Sequence, residues 1–345
     1  MKQLIDLGAV RIGAAIQNVC ANVDFEVLSL PGGSLIAVLL WLYATAMDPT
    51  RRAGRNGAHI MTHAAFPTND PDRARSRTIG AGMFSGRASK RAFFGISALL
   101  FAASMAVTIR WCSSMSAMGE MSMPGGWTMS MAWMRMPGQT WPGVAVSFLG
   151  MWVVMMVAMM LPSLVPMLWR YRQAVARLDA TRLGRLTAIV GVGYFFVWTV
   201  LGTAAFPLGV ALAAIEMRHP ALARRVPFAV GVVVLIAGAL QFTAWKAHQL
   251  ACCREPPGRA RPLTADVATA WRHGLRLGLH CSYCSAGLTA ILLGLGVMDL
   301  RAMAVVTAAI TAERLAPPGE RVARAIGAVI VGAGMFLIAR PAGLG

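Results

Sequence analysis

Methionine is crowded into one part of this 345-residue chain: 15 of its 23 methionines fall between residues 105 and 167. Leucine or isoleucine would fill hydrocarbon equally well. What sets methionine apart is its soft thioether sulfur, which prefers Cu(I) to hard cations. The first group comprises Met115, Met118, Met121, Met123, Met129, Met131, Met134 and Met136, repeated at spacings of two and three among Gly, Ser and Pro. So supple a segment can wrap two or three sulfurs around one Cu(I). Thioethers need no deprotonation and form no disulfides, which suits an oxidising compartment. The competing reading is an apolar flap on a bilayer interface, with methionine as adaptable filler and Trp127, Trp133 and Trp141 as interfacial aromatics.

A second group lies in the apolar run that follows. At about 100° per residue, Met151, Met155 and Met159 form one helical stripe and Met156, Met160 and Met167 an adjacent one. Together they make either a thioether track for a soft ion or a packing face. Pro162 and Pro166 are expected to end or kink this helix and free backbone carbonyls. The third constellation is His273, His280, Cys281 and Cys284. On a continuous helix His273, His280 and Cys284 fall within about 40° of one another, with Cys281 some 60° further round. Two thiols and an imidazole there can hold Cu(I) or form part of a zinc site; a redox dithiol and inert packing are the alternatives. His, Cys and Cys inside a membrane are costly unless used. Cys252 and Cys253, in a preceding loop, read equally as a place where metal enters or as surface thiols. Glu313 and Asp299 are expected at solvated helix ends. No phosphate-binding glycine loop is present, which argues against an ATP-driven pump.

The elements that must position these residues are membrane-like. The chain is 57% hydrophobic and 13% charged, against roughly 25% charge in soluble domains. Its net charge of +18 comes from basic residues clustered at the ends of apolar runs. That pattern belongs to cytoplasmic loops rather than to nucleic-acid binding. The reading is an all-α polytopic transmembrane bundle of six to seven spans, about 93–109, 144–168, 186–215, 226–245, 277–298, 300–312 and 322–338. It would form a metal-binding domain over 92–340, with the Met-rich external segment at 111–142. Residues 1–91 read as a basic, largely flexible region with a marginal apolar helix at 33–47, and with His59 and His63 in its linker. Lys and Arg are dense in the 169–185, 246–276 and 313–324 segments and sparse in the Met-rich one. The positive-inside rule therefore places the Met-rich segment on the external face of a cell membrane, such as a bacterial inner membrane.

Four separated motifs carry a resemblance. They are the run 152–167, the QFTAWK segment at 241–246, the GLHCSYC motif at 278–284, and GVMDLR at 296–301 followed by AERL at 312–315. In this order they resemble a bacterial family of metal-binding integral membrane proteins that includes the membrane copper chaperone of a bacterial tyrosinase, over about residues 91–340. The resemblance implies copper handling and delivery to an exported or membrane cuproenzyme, carried by Met156, Met159, Met160, Met167, Cys281 and Cys284. Where the family pattern has a third cysteine and then tryptophan, this chain has Ser285 and Ala286. Where it has histidine, this chain has Leu277, and His280 is the residue that can substitute. The expectation is thus a non-enzymatic Cu(I) chaperone in a lipid bilayer, using no nucleic acid. Its rivals are a thiol oxidoreductase working through Cys281 and Cys284 and a non-catalytic scaffold.

Overall fold

The computed structural model describes residues 72–339 apart from 118, 120, 125, 131–132, 136–137, 176–177, 255–264 and 317–318, with side chains from 89 onward except 116 and 117. The expectations for residues 1–71, including the 33–47 helix, His59 and His63, lie outside the described residues, as do Met118, Met131 and Met136. The described elements run α1 (Asp72–Ala117), β1 (Met121–Met123), β2 (Trp127–Met129), α2 (Trp141–Ala174), α3 (Ala180–Arg218), the single turn α4 (Pro220–Ala223), α5 (Val226–Leu240), α6 (Ala244–Arg254), α7 (Val267–Leu295), α8 (Leu300–Leu315) and α9 (Gly319–Ala339).

Among the described residues, five helical segments are long and apolar enough to cross a membrane: Ser89–Met115 within α1, then α2, α3, α7 and α9. The expected fourth span is broken. α5 and α6 meet at a 66° bend, and counted as one span they bring the total to six, the lower of the expected counts. Local chemistry makes the break. The Thr243 hydroxyl donates to the Leu240 carbonyl at 2.7 Å, closing α5, and accepts the Lys246 N–H at 3.3 Å, capping α6. α8 is the element that drops from the count. Its 16 residues reach about 24 Å at 1.5 Å per residue, short of a hydrocarbon core of ~30 Å. Asp299 is exposed at the start of α8, as expected of a solvated helix end, and also caps it, accepting the backbone N–H groups of Arg301 and Ala302 at 2.8 and 3.2 Å. Thr140 and Asp266 start α2 and α7 in the same way.

α2 is the central helix, packed by α1, α3 and α8. It runs through Pro162 and Pro166 to Ala174 instead of ending at them. Around it, small residues let two helix pairs approach closely. Between α3 and α7, a Cβ added to Gly274 would collide with the Val190 carbonyl, and one on Gly278 would lie 2.8 Å from the Tyr194 carbonyl. Between α5 and α9, Gly231, Gly238, Gly327 and Gly334 do the same.

Candidate metal centre

Cys281 stands at the junction of four helices. The α3–α7 approach at Gly274 and Gly278 brings the Tyr194 hydroxyl of α3 to the Cys281 sulfur, donating at 2.9 Å. Across from it, Met160 of α2 sets its thioether sulfur 3.9 Å from the same thiol. Arg314, near the end of α8, donates through Nη1 to Cys281 Sγ at 3.0 Å and to Ser163 Oγ at 2.8 Å. Cys281, Met160, Tyr194 and Ser163 are all 0% exposed and Arg314 is 3% exposed.

The donor set suits a soft ion. At a metal–sulfur bond of ~2.3 Å, two sulfurs 3.9 Å apart subtend about 115° at the metal, a trigonal angle. A thiolate at Cys281 would have the Arg314 guanidinium as its counter-charge, which a buried anion requires. Nε and Nη2 of Arg314 have no hydrogen-bond partner among the described residues, so this cation is not neutralised by a carboxylate.

A second polar layer lies beside the first. Lys246 pairs with Glu313 at 2.7 Å and donates to the Cys284 carbonyl at 2.6 Å, and Gln241 Nε2 donates to the other Glu313 oxygen at 2.9 Å. Arg254 Nη2 donates to the backbone carbonyls of Glu313, at 2.8 Å, and Ala316. Glu313 is therefore not a solvated helix end; it is 1% exposed and neutralised by Lys246. Lys246, counted among loop cations from sequence, lies inside α6 at 4% exposure. The network ties α5, α6, α7 and α8 at the level of the thiols.

The other sequence candidates divide among three places. Met155, Met156, Met159 and Met167 are buried along α2 with Met160. His280 turns to Gln249 of α6, with Nδ1 and Oε1 3.4 Å apart, and His273 stacks on Tyr171 at 5.3 Å. Cys284 packs with Cys253 of α6 in a buried cluster with Leu250 and Ala323. The two motif thiols thus have different partners. Among the described residues no three His, Cys, Asp or Glu side chains converge on one metal position. Cys253 is buried, whereas Cys252 lies toward the surface with its sulfur 3.6 Å from His248 Nε2.

The Met-rich segment folds at its centre into a hairpin. Met121 opposes Met129 and Met123 opposes Trp127, so one face carries Met121, Met123, Trp127 and Met129 and the other Ser122 and Thr128. The spacing of two is a strand period. Met123 and Met129 bury against Ala213 and Ala223 with Trp127, Trp133 and Met134 around them, and Trp127 Nε1 donates to the Ala223 carbonyl at 2.9 Å. Met121 is 37% exposed and Met115 half-buried. Trp133 packs on Phe148 of α2 at 5.1 Å, about 18 Å of helix from Met160.

Tyr194, Ser163, Arg314, Gln241, Lys246 and the pairing of Cys253 were not assigned from sequence. A signal existed: Gln241, Lys246, Glu313 and Arg314 interrupt or border apolar runs, where ionisable residues default to function.

The family model described as PpoB2, copper chaperone, matches residues 149–337, which contain every residue of both polar layers. No curated protein matches the chain, and no solved structure does. With more than half its length matched, the chain belongs to the PpoB2 copper chaperone family.

Proposed function

We propose that this copper chaperone is an integral membrane protein that carries copper as Cu(I) on the Cys281–Met160 pair and delivers it to an exported or membrane cuproenzyme. The observation that carries the reading is one thiol and one thioether, both fully buried, 3.9 Å apart with a guanidinium at 3.0 Å. Thiol and thioether are the donors that favour the monovalent ion. The five long apolar helices support membrane insertion. In this reading the Met-rich segment lies on the external face, where its thioethers, led by the exposed Met121, exchange copper with the outside. The remaining buried methionines of α2, from Met155 to Met167, line the way inward. Exchange between sulfur sites of similar affinity requires no energy source, which accords with a chaperone.

The test is Cu(I) competition with a colorimetric chelator, under reductant, on the detergent-purified chain. Cys281→Ser is expected to weaken binding by roughly a hundredfold and Met160→Leu by roughly tenfold, about 2.7 and 1.4 kcal/mol. Leucine at Met115, Met121, Met123, Met129 and Met134 is expected to slow copper uptake and leave the equilibrium affinity in place. Affinity indifferent to Cys281→Ser would remove copper from this centre.

A further inference from the structure

A second pair of soft donors lies outside the centre just described. Cys253 and Cys284 come from different helices, so only the docking of α6 against α7 brings them into one buried cluster. Neither is in a disulfide. Cys253 is 2% and Cys284 4% exposed, and Leu250 and Ala323 complete a cluster without water-facing groups. Two buried thiols in one cluster suit a two-coordinate soft ion, which needs no third protein ligand.

Position supports transit rather than storage. Cys284 lies three residues after Cys281 on α7, a spacing that puts their Cβ atoms about 5–6 Å apart on the same helix surface. Cys284 is thus the neighbour of Cys281 on one side and of Cys253 on the other. The residue before Cys253 is Cys252, whose sulfur stands 3.6 Å from His248 Nε2 at the surface. Soft donors therefore step outward from the interior: Met160 with Cys281, Cys284 with Cys253, Cys252 with His248.

We propose that Cys253 and Cys284 form a second, two-coordinate Cu(I) site through which the ion passes between the Met160–Cys281 centre and the Cys252–His248 surface. The inference rests on the Cu(I) reading given above. In the transfer, the bond from copper to the Cys284 sulfur forms as the bond to the Met160 sulfur breaks, and the bond to the Cys253 sulfur then forms as the bond to the Cys281 sulfur breaks. The Cys284 and Cys253 thiols each give up a proton on binding; one passes to the departing Cys281 sulfur and the other leaves to solvent. Copper remains monovalent and no oxidant or reductant takes part.

The experiment loads the full-length, detergent-purified chain with Cu(I) and follows release to a bulky water-soluble chelator that cannot enter the bundle. Cys253→Ser is expected to slow release at least about tenfold relative to the unaltered chain. In the unaltered chain, Cu(I) is expected to protect Cys253 and Cys284 together from a membrane-permeant maleimide, read by mass spectrometry; this readout does not depend on the variant folding. Release from Cys253→Ser at the unaltered rate, or alkylation of Cys253 that copper does not slow, overturns the second site and leaves the first standing. Failure of the unaltered chain to bind Cu(I) overturns both, which separates the two claims.

Discussion

Arg314 has no carboxylate within ion-pair distance among the described residues, yet it is 3% exposed and touches the sulfur of Cys281. A buried cation of this kind is tolerable when an anion accompanies it, and in the proposed Cu(I) reading a copper-bound Cys281 thiolate would be that anion. Arg314→Gln keeps a donor near Cys281 and removes the charge. It is expected to lower Cu(I) affinity about tenfold, ~1.4 kcal/mol, with Arg314→Lys intermediate, measured by the same chelator competition. The Lys246–Glu313 pair behaves differently because it is internally neutral. Glu313→Gln leaves Lys246 buried without its counter-charge and is expected to cost about 3–5 kcal/mol of stability. The double change Lys246→Met with Glu313→Leu is expected to recover most of that loss. Thermal unfolding of the three forms in detergent reads the coupling; a double variant no better than Glu313→Gln would show that the pair acts through more than its charges.

Among the elements, the contact between α3 and α7 decides whether the centre exists. Tyr194 reaches Cys281 because Gly274 and Gly278 let the two backbones close. Gly278→Leu is expected to push α7 from α3, lower the unfolding temperature and weaken Cu(I) binding together. Gly287 is the control on the same helix: an added Cβ there meets nothing nearer than Ala237 at 3.4 Å, an ordinary packing contact. Gly287→Ala should therefore change stability by less than about 1 kcal/mol and copper affinity not at all. Equal effects at the two positions would refute the argument from close approach. The break between α5 and α6 has a comparable role, since it turns Lys246, Cys253 and Arg254 toward α7 and α8 where a straight helix would carry them past.

For the whole molecule, the reading sets the hairpin of β1 and β2 on one side of the membrane and the α2–α3 and α6–α7 connections on the other. Single cysteines introduced at Ser122 and at Thr181, in a chain whose own cysteines are replaced, test this with an impermeant thiol reagent on intact cells. Labelling is expected at Ser122→Cys in intact cells and at Thr181→Cys only after permeabilisation. The reverse result would invert the orientation and leave the metal centre unchanged. The cation count behind that orientation is smaller than it looks in sequence. Lys246 and Arg172 are buried, and Arg172 donates to Ser89 at 3.0 Å, so they serve packing as well as topology.

Some properties of this protein were decided by the linear chain. Long apolar runs cross a bilayer wherever their neighbours lie, so most spans follow from composition, with boundaries set by local caps such as Thr140, Asp266 and Asp299. The expectation of a soft ion comes likewise from sulfur as the donor. Four short motifs were enough to indicate the family that the match over residues 149–337 bears out. Which donors meet was left to tertiary structure. Helical periodicity put His280 and Cys284 on one face of α7, yet His280 meets Gln249, Cys284 meets Cys253, and Cys281 meets Met160, 121 residues away. The same holds for Glu313 with Lys246, 67 residues apart, and for Gln241 with Glu313, 72 apart. Periodicity ranks the side chains around one helix but says nothing of which helix stands opposite each direction. That is settled by the glycine contacts of α3 with α7 and by the bend between α5 and α6, through shape and close approach between segments distant in the chain.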